Sequence, residues 1–506
     1  MAKPPKILTP RQVTAPPDDP ARRRADAAER HRQRRLYAPR LGWGGRFAGR
    51  APAEDTGTIY TGPSTQAAGV YPFLLGAGLP ARGVPLGRDM LTGELVCIDP
   101  ADWVGKLTTN PNMWVMSQPG AGKSALVKRI LLVYAALGFM PVIPGDVKNE
   151  YTQIVQQLGG SVVRIGDGIG RLNPLDSGPL KNIVRTLPTE RRNVLLDVLN
   201  ARRLETLGAL LATKHGLGRA ADEIQRSALT CAVQLAADAC PGQDPIVPDV
   251  IAVLRQAPEP LRNRLAAHDA TYQDLARSVI AGLDNLCGGP LKGLFDGPTT
   301  VDLDLNSPAV SVDISALRAR GADILSAGMI ATWAYTYSSI DSARSTGLMQ
   351  RRLVLGMDEM WKALRAGPGL VDSMDSIGRL SRGDGDITIY VTHSTQDLES
   401  LPTEEDRAKA RGLMDRCDIW VLGASTDEEL TRVTGKRQLT EQERAIISSW
   451  SSATSTGLDA GDAVHPGRGK YLLKIGSRPG IAVAMELTAT EARLYHTDYK
   501  KRPEHR

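Results

Sequence analysis

Cysteine is scarce in this sequence: Cys97, Cys231, Cys240, Cys287 and Cys417 are scattered, odd in number and without a C-x-x-C pair. That set argues against a disulfide framework or a thiolate metal site and fits a reducing compartment. Long apolar runs are missing as well. A membrane span needs about 20 apolar residues, and the best run, Ile130 to Ile143, is broken by Gly138 and Pro141. The amino terminus carries charge and proline where a secretory leader carries a hydrophobic core. Any membrane contact is therefore expected to be peripheral, with the chain itself cytoplasmic. Aromatic residues are few, at 5%, but 42% hydrophobic and 23% charged residues are ordinary for a globular protein. A chain of 506 residues has room for about three domains, or for one large α/β domain with insertions.

The body of the chain also lacks positive charge. Net charge is +6, yet the first 50 residues hold 13 Lys/Arg against 4 Asp/Glu, leaving the remainder at −3. Basicity is a property of the tail, and the body offers no global electrostatic argument for nucleic acid. Residues 1–55 cluster Pro, Arg, Ala and Gly without periodicity, so a disordered basic tail is expected. Arg22 to Arg24 and Arg30 to Arg35 could form a short basic helix on a partner or an anionic lipid surface. A solvated tail is the plainer alternative.

What is present centres on Met113 to Lys128. A short apolar run ends in Ser117-Gln-Pro-Gly-Ala-Gly-Lys-Ser124 and then enters an apolar helical pattern. This reads as strand, phosphate loop, helix. Gly120 and Gly122 let the backbone curl so that successive N–H groups point at phosphate oxygens, with the helix dipole behind them. Pro119 to Ala125 would hold ATP, Lys123 would reach its β- and γ-phosphates, and Ser124 would ligate Mg²⁺. The strict pattern wants Gly at position 117 and finds Ser; the change is expected to alter the loop entry without abolishing binding.

Around this centre, residues 56–105 read as a small β-rich lead-in with a hairpin near Gly87 to Ile98. Residues 106–180 alternate strand and helix, with strands at Phe139 to Pro144 and Gly159 to Ile165, which predicts a mainly parallel sheet covered on both faces. Residues 181–290 change to helical periodicity alone (Val194, Val198, Leu207, Leu211, Ile224, Ala228 among others) and are expected to form an all-helical insertion. Residues 291–430 return to α/β character, with strands at Thr299 to Leu303, Ala309 to Ile314, Arg352 to Met357, Ile387 to Thr392 and Cys417 to Gly423, and a helix from Ile324 to Ser338. Residues 431–506 would complete the core with strands at Lys470 to Ile475 and Gly480 to Leu487.

The strand from Arg352 ends in Asp358-Glu359. In hydrolytic phosphate-loop proteins such a pair divides its work: Asp358 would accept from Mg²⁺-bound water and Ser124, and Glu359 would polarise the attacking water. The next strand runs into His393-Ser-Thr-Gln396, where Gln396 is placed to contact the γ-phosphate or hold that water, with His393 as a neighbour.

Taken together, Gly120 to Ser124, Asp146 to Tyr151, Gly159-Gly160, Asn173 to Asp176, Leu294 to Gly297, Leu355 to Trp361 and Thr395-Gln396 resemble the conjugation ATPases of type IV secretion systems, the VirB/TraC/TrbE-type motors of the HerA/FtsK superfamily. The resemblance spans about residues 56–495. It implies a RecA-like P-loop core, ATP and Mg²⁺ as cofactors, a homo-hexameric ring, and secretion-channel components as partners. It places Asp146 and Glu150 near the nucleotide or the subunit boundary. An arginine from the neighbouring subunit would complete the site, with Arg379 and Arg382 as candidates and a solvated helix end as their alternative. Family members usually carry a large N-terminal domain, expected here from a separately encoded subunit. DNA contact stays open, as do two competing functions: a DNA translocase or coupling protein, and a scaffold that binds ATP without hydrolysing it.

Overall fold

Eleven strands form one mixed sheet through the described part of the chain in the computed structural model. The structure describes residues 78–166, 168–178, 188–265, 269–367, 371, 385–434, 438–451 and 465–495, with 20, 24, 27 and 28. The strands are β1 (Val84–Asp89), β2 (Leu95–Ile98), β3 (Met113–Met116), β4 (Met140–Asp146), β5 (Ser161–Arg164), β6 (Val310–Asp313), β7 (Leu353–Met357), β8 (Ile387–Thr392), β9 (Ile419–Leu422), β10 (Lys470–Ile475) and β11 (Ile481–Ala484). Their order is β2-β1-β11-β10-β9-β3-β8-β7-β4-β6-β5. From β9 to β5 every pairing is parallel. The other four strands pair antiparallel and extend the sheet beyond β9.

Strands β3, β4, β6, β7, β8 and β9 are buried along their whole length because both faces are covered. In β3, Met113 and Val115 join one hydrophobic cluster while Trp114 and Met116 join the other, as a two-residue period requires. Helix α1 (Lys123–Ala136) lays Leu126, Val127, Ile130, Leu131 and Tyr134 on the first face, beside Ile154 and Val155 of α2 (Thr152–Gln157). Between β5 and β6 the described chain forms α3 (Thr189–Ala212), α4 (Glu223–Ala239), α5 (Val247–Gln256), α6 (Glu259–Arg264) and α7 (Asp269–Cys287). Their apolar sides, including Leu207, Leu211 and Ala228, merge with the cluster on the second face. Val194, Val198 and Ile224 instead face solvent.

Two stretches differ from their sequence reading. Thr299 to Leu303 joins no ladder: the Thr300 N–H donates to the Arg171 carbonyl (3.2 Å), but the return bonds from the N–H groups of Asn173 (3.0 Å) and Arg171 (2.9 Å) go to the hydroxyls of Thr299 and Thr300 where a strand would offer carbonyls. Helix α8 (Ala322–Ser345) outruns its expected end, since Ser339 and Ser342 are buried within it rather than marking a turn. The chain continues with α9 (Met360–Leu364) after β7, α10 (Gln396–Glu399) after β8, then α11 (Glu404–Asp415), α12 (Asp427–Thr434), α13 (Glu441–Ser449) and α14 (Ala489–Tyr495). Among the described residues no helix is long and apolar enough to cross a membrane.

Candidate active site at the carboxyl edge of the sheet

Parallel strands send their carboxyl ends to one edge, and that edge is where loops of an open α/β sheet meet. The loop between β3 and α1 turns through Gly120 (φ 85°) and Gly122 (φ 100°), with Gly122 as the cap of α1. A side chain at Gly122 would be doubly opposed, because its Cβ would lie 2.8 Å from the Tyr471 hydroxyl. Tyr471 (3.3 Å) and the Gly469 N–H (3.0 Å) both donate to the carbonyl of Ala121, bracing the loop from the start of β10. Ser117 is fully buried and takes no left-handed backbone. The room for its side chain comes from Gly423, where a Cβ would approach the Ser117 hydroxyl to 2.5 Å.

Lys123 is buried, and its ammonium donates to the carbonyls of Ser117 and Gln118, the latter at 3.0 Å. Burial pushes its pKa down to about 8; Asp358 and Glu359 pull it up, and the Lys148 charge pushes it down. Pro119 and Gly120 are exposed at the loop tip, Ala121 is buried, and Ser124 and Ala125 are half-buried in the first turn of α1.

Strand β7 delivers Asp358 and Glu359 to the same edge. Tyr151 donates its hydroxyl to Asp358 Oδ2 (3.0 Å), and the Glu359 N–H bonds Asp358 Oδ1 (2.9 Å). Burial, then the neighbouring Glu359 charge, raise the pKa of Asp358. Glu359 caps α9 in a left-handed conformation (φ 56°), uncommon for a residue with a side chain. Its buried carboxylate meets Lys148, Lys362 (3.0 Å) and His393 Nε2 (3.2 Å). Burial works to raise its pKa, but the bonds from His393 and Lys148 prevail and hold it well below the usual carboxylate range.

A structure of VirB4 of Thermoanaerobacter pseudethanolicus matches with a TM-score of 0.61, covering 82% of this chain and 98% of that one at 20% identity. The chain has the VirB4 fold. The plasmid coupling protein TrwB in complex with ADP and Mg²⁺ matches at TM-score 0.46 and 13% identity over 74% of this chain and 85% of that one, too remote to inform the site. No family model and no curated protein matches the sequence.

Within the VirB4 fold, the remaining residues singled out in the sequence take these places. Asp146 is buried and accepts the N–H groups of Lys148 (3.2 Å), Glu150 (3.0 Å) and Tyr151 (2.8 Å), so it shapes the loop that carries Lys148 and Tyr151. Burial outweighs those bonds and pushes its pKa up to about 6. Glu150 is half-buried in that loop. Gln396 opens α10 with an exposed side chain, while its N–H bonds the Ser394 hydroxyl (3.0 Å). Arg379 and Arg382 lie outside the described residues.

Sequence reasoning did not single out Lys148, Tyr151, Lys362 or Glu429. Glu429 of α12 bonds the Ser394 hydroxyl and takes the N–H and hydroxyl of Thr395 (both 3.0 Å), fixing the loop that bears Gln396. Lys148 and Tyr151 stood inside a quoted motif, but their partners lie more than 200 positions away, and no local pattern signals that. Asn173, in another quoted motif, bonds the Pro245 carbonyl (2.9 Å) and so ties the core to the helical segment.

Proposed function

We propose that this protein is an ATP-hydrolysing motor of type IV secretion, in the HerA/FtsK superfamily. It would work as a ring of identical subunits at the inner face of the membrane, energising channel assembly or the transfer of DNA or protein. The observation that carries the reading is the strand order. Strand β8 lies between β3 and β7, and neighbouring strands are separated by about 4.8 Å. The loop that leads from β3 to Lys123 and the acidic pair that follows β7 thus open at one edge of the sheet, with the end of β8 between them.

The residues present fit a nucleotide. A loop without side chains at Gly120 and Gly122, the free N–H groups of a 14-residue helix and a buried ammonium with a depressed pKa together make a cradle for anionic oxygen. Among the described residues no group of three or more His, Cys, Asp or Glu is placed to hold a metal. Magnesium that arrives with phosphates asks the protein for only one or two oxygens, which Ser124 and Asp358 would provide. The ion would supply charge neutralisation at the β- and γ-phosphates. Glu359 would orient and polarise the water, Gln396 would sense the γ-phosphate, and Arg379 or Arg382 would reach a neighbouring subunit's site.

A second reading, a scaffold that binds ATP without turnover, draws support from the three partners that occupy Glu359. The test is phosphate release by the purified chain, with and without DNA, alongside its mass in solution. Turnover in a ring, suppressed by Glu359→Gln while nucleotide still binds, is the expected result. Equal phosphate release by wild type and variant would end the motor reading. Strong stimulation by DNA would favour a translocase, and tight binding without turnover would favour the scaffold.

A further inference from the structure

Glu359 receives its partners from three elements: Lys148 from the loop after β4, Lys362 from α9 and His393 from the end of β8. Lys148 and His393 meet Oε1, and Lys362 meets Oε2. Oε1 is thus held by an ammonium and an imidazole, and Oε2 is buried beside a second ammonium, so neither oxygen is turned to water. In this arrangement the group assigned to activate water is sequestered.

The three partners differ in their freedom to leave. Lys362 sits three residues further along the same turn, and His393 is fixed at the end of a central strand. The three are about equally exposed (32%, 28% and 26%), so what sets Lys148 apart is its place in a loop, where Asn149 takes a left-handed conformation. It also shares its electrostatic surroundings with Lys123, whose charge it opposes. Two ammonium groups facing one edge of the sheet form a place that a polyphosphate would occupy more favourably than one carboxylate can neutralise.

We propose that Lys148 changes partner. In the resting chain it shares Glu359 Oε1 with His393; a bound nucleoside triphosphate draws its ammonium to the terminal phosphate and opens one acceptor position on that oxygen to water. The inference rests on the nucleotide-hydrolase reading above and adds to it a residue that distinguishes triphosphate from diphosphate. Trp361 supplies a reporter, since its ring lies edge-on to His393 (6.4 Å) and beneath Lys362 (5.3 Å), both of them partners of Glu359.

The test uses the full chain with Mg²⁺, ADP and a non-hydrolysable ATP analogue. Calorimetry on the wild type should show the analogue preferred over ADP by about tenfold or more, the scale of one charge-assisted bond. Lys148→Met should lose that preference and keep its ADP affinity. Emission assigned to Trp361 by subtraction of a Trp361→Phe chain should shift with the analogue and not with ADP, and in Lys148→Met it should be shifted before any nucleotide is added. An unchanged preference in Lys148→Met overturns the proposal and leaves the hydrolase reading standing. Should that variant fail to fold, the wild-type emission decides: equal responses to ADP and analogue overturn it. If neither nucleotide binds the wild type, the hydrolase reading itself fails.

Discussion

At pH 8 Lys123 is close to half-protonated, because burial holds its pKa at about 8. Phosphate beside the ammonium would restore the charge. Nucleotide binding at pH 8 should take up about half a proton per chain, and close to none at pH 6; calorimetry in buffers of different ionisation enthalpy measures this directly, and no buffer dependence at pH 8 would count against a phosphate-facing Lys123. The same residue bears on stability. Below pH 8 its buried charge is present and unfavourable, and the penalty fades as pH rises from 8 toward the unfolded value of about 10.4. Its contribution therefore improves with pH in that window. Glu359 makes the complementary case: its carboxylate is held ionised, so Glu359→Gln should lower turnover by about a thousandfold with nucleotide affinity retained, within the range for loss of a positioned base.

Elements meet the site through contacts that can be broken one at a time. Gly423, just after β9, lies so close to Ser117 that an added methyl would sit 2.7 Å from its Cβ. Gly423→Ala should cost about 1–3 kcal/mol and weaken nucleotide binding. Adding Ser117→Gly should recover most of the loss, since the two side chains compete for one space; thermal denaturation of the four chains in the cycle decides. In the middle of α1, Arg129 is buried and pairs in a fork with Glu491 of α14 (2.6 Å) while donating to the carbonyls of Leu86 and Glu486. Removing the carboxylate by Glu491→Gln leaves a buried guanidinium short of its anion, an expected loss of about 3 kcal/mol. Glu491 has a pKa lowered by Arg129 against its burial, so the pair's stabilisation is complete above the ordinary carboxylate pKa and is lost as pH falls through the depressed one. A denaturant midpoint for Glu491→Gln equal to wild type at pH 7 would show that α14 does not anchor the phosphate-loop helix.

At the scale of the molecule, residues 63–506 form one compact unit. One hydrophobic cluster contains Trp114 and Trp420 from the sheet together with Leu207, Leu229 and Leu283 from the helical segment. Far-UV dichroism reports mostly helix, whereas emission from a chain with Trp43, Trp103, Trp333, Trp361 and Trp450 changed to Phe would come from Trp114 and Trp420 alone and report the sheet. The two signals should share one unfolding midpoint if the shared cluster couples them; separate midpoints would show that the helical segment melts on its own.

Some of this was legible in the linear chain because the governing physics is local. Strand β3, the glycine turn and α1 follow from an apolar run, residues tolerant of positive φ and a helical period, all within 24 positions. The alternation of strand and helix through 106–180 foretold a sheet covered on both faces for the same reason. The stretch at Thr299 was misread since only its partner, the loop at 171–173, decides whether its bonds go to carbonyls or hydroxyls. The order of strands, the pairing of Lys148 with Glu359 and of Tyr151 with Asp358, and the grip of Glu429 on the Gln396 loop required the tertiary structure. Sequence alone determined the strand, glycine turn and helix around Lys123, because loop and strand preferences act between neighbours. Only the folded sheet decided which charges face each other, because electrostatic partners are set by distance in space and by burial, and neither is written along the chain.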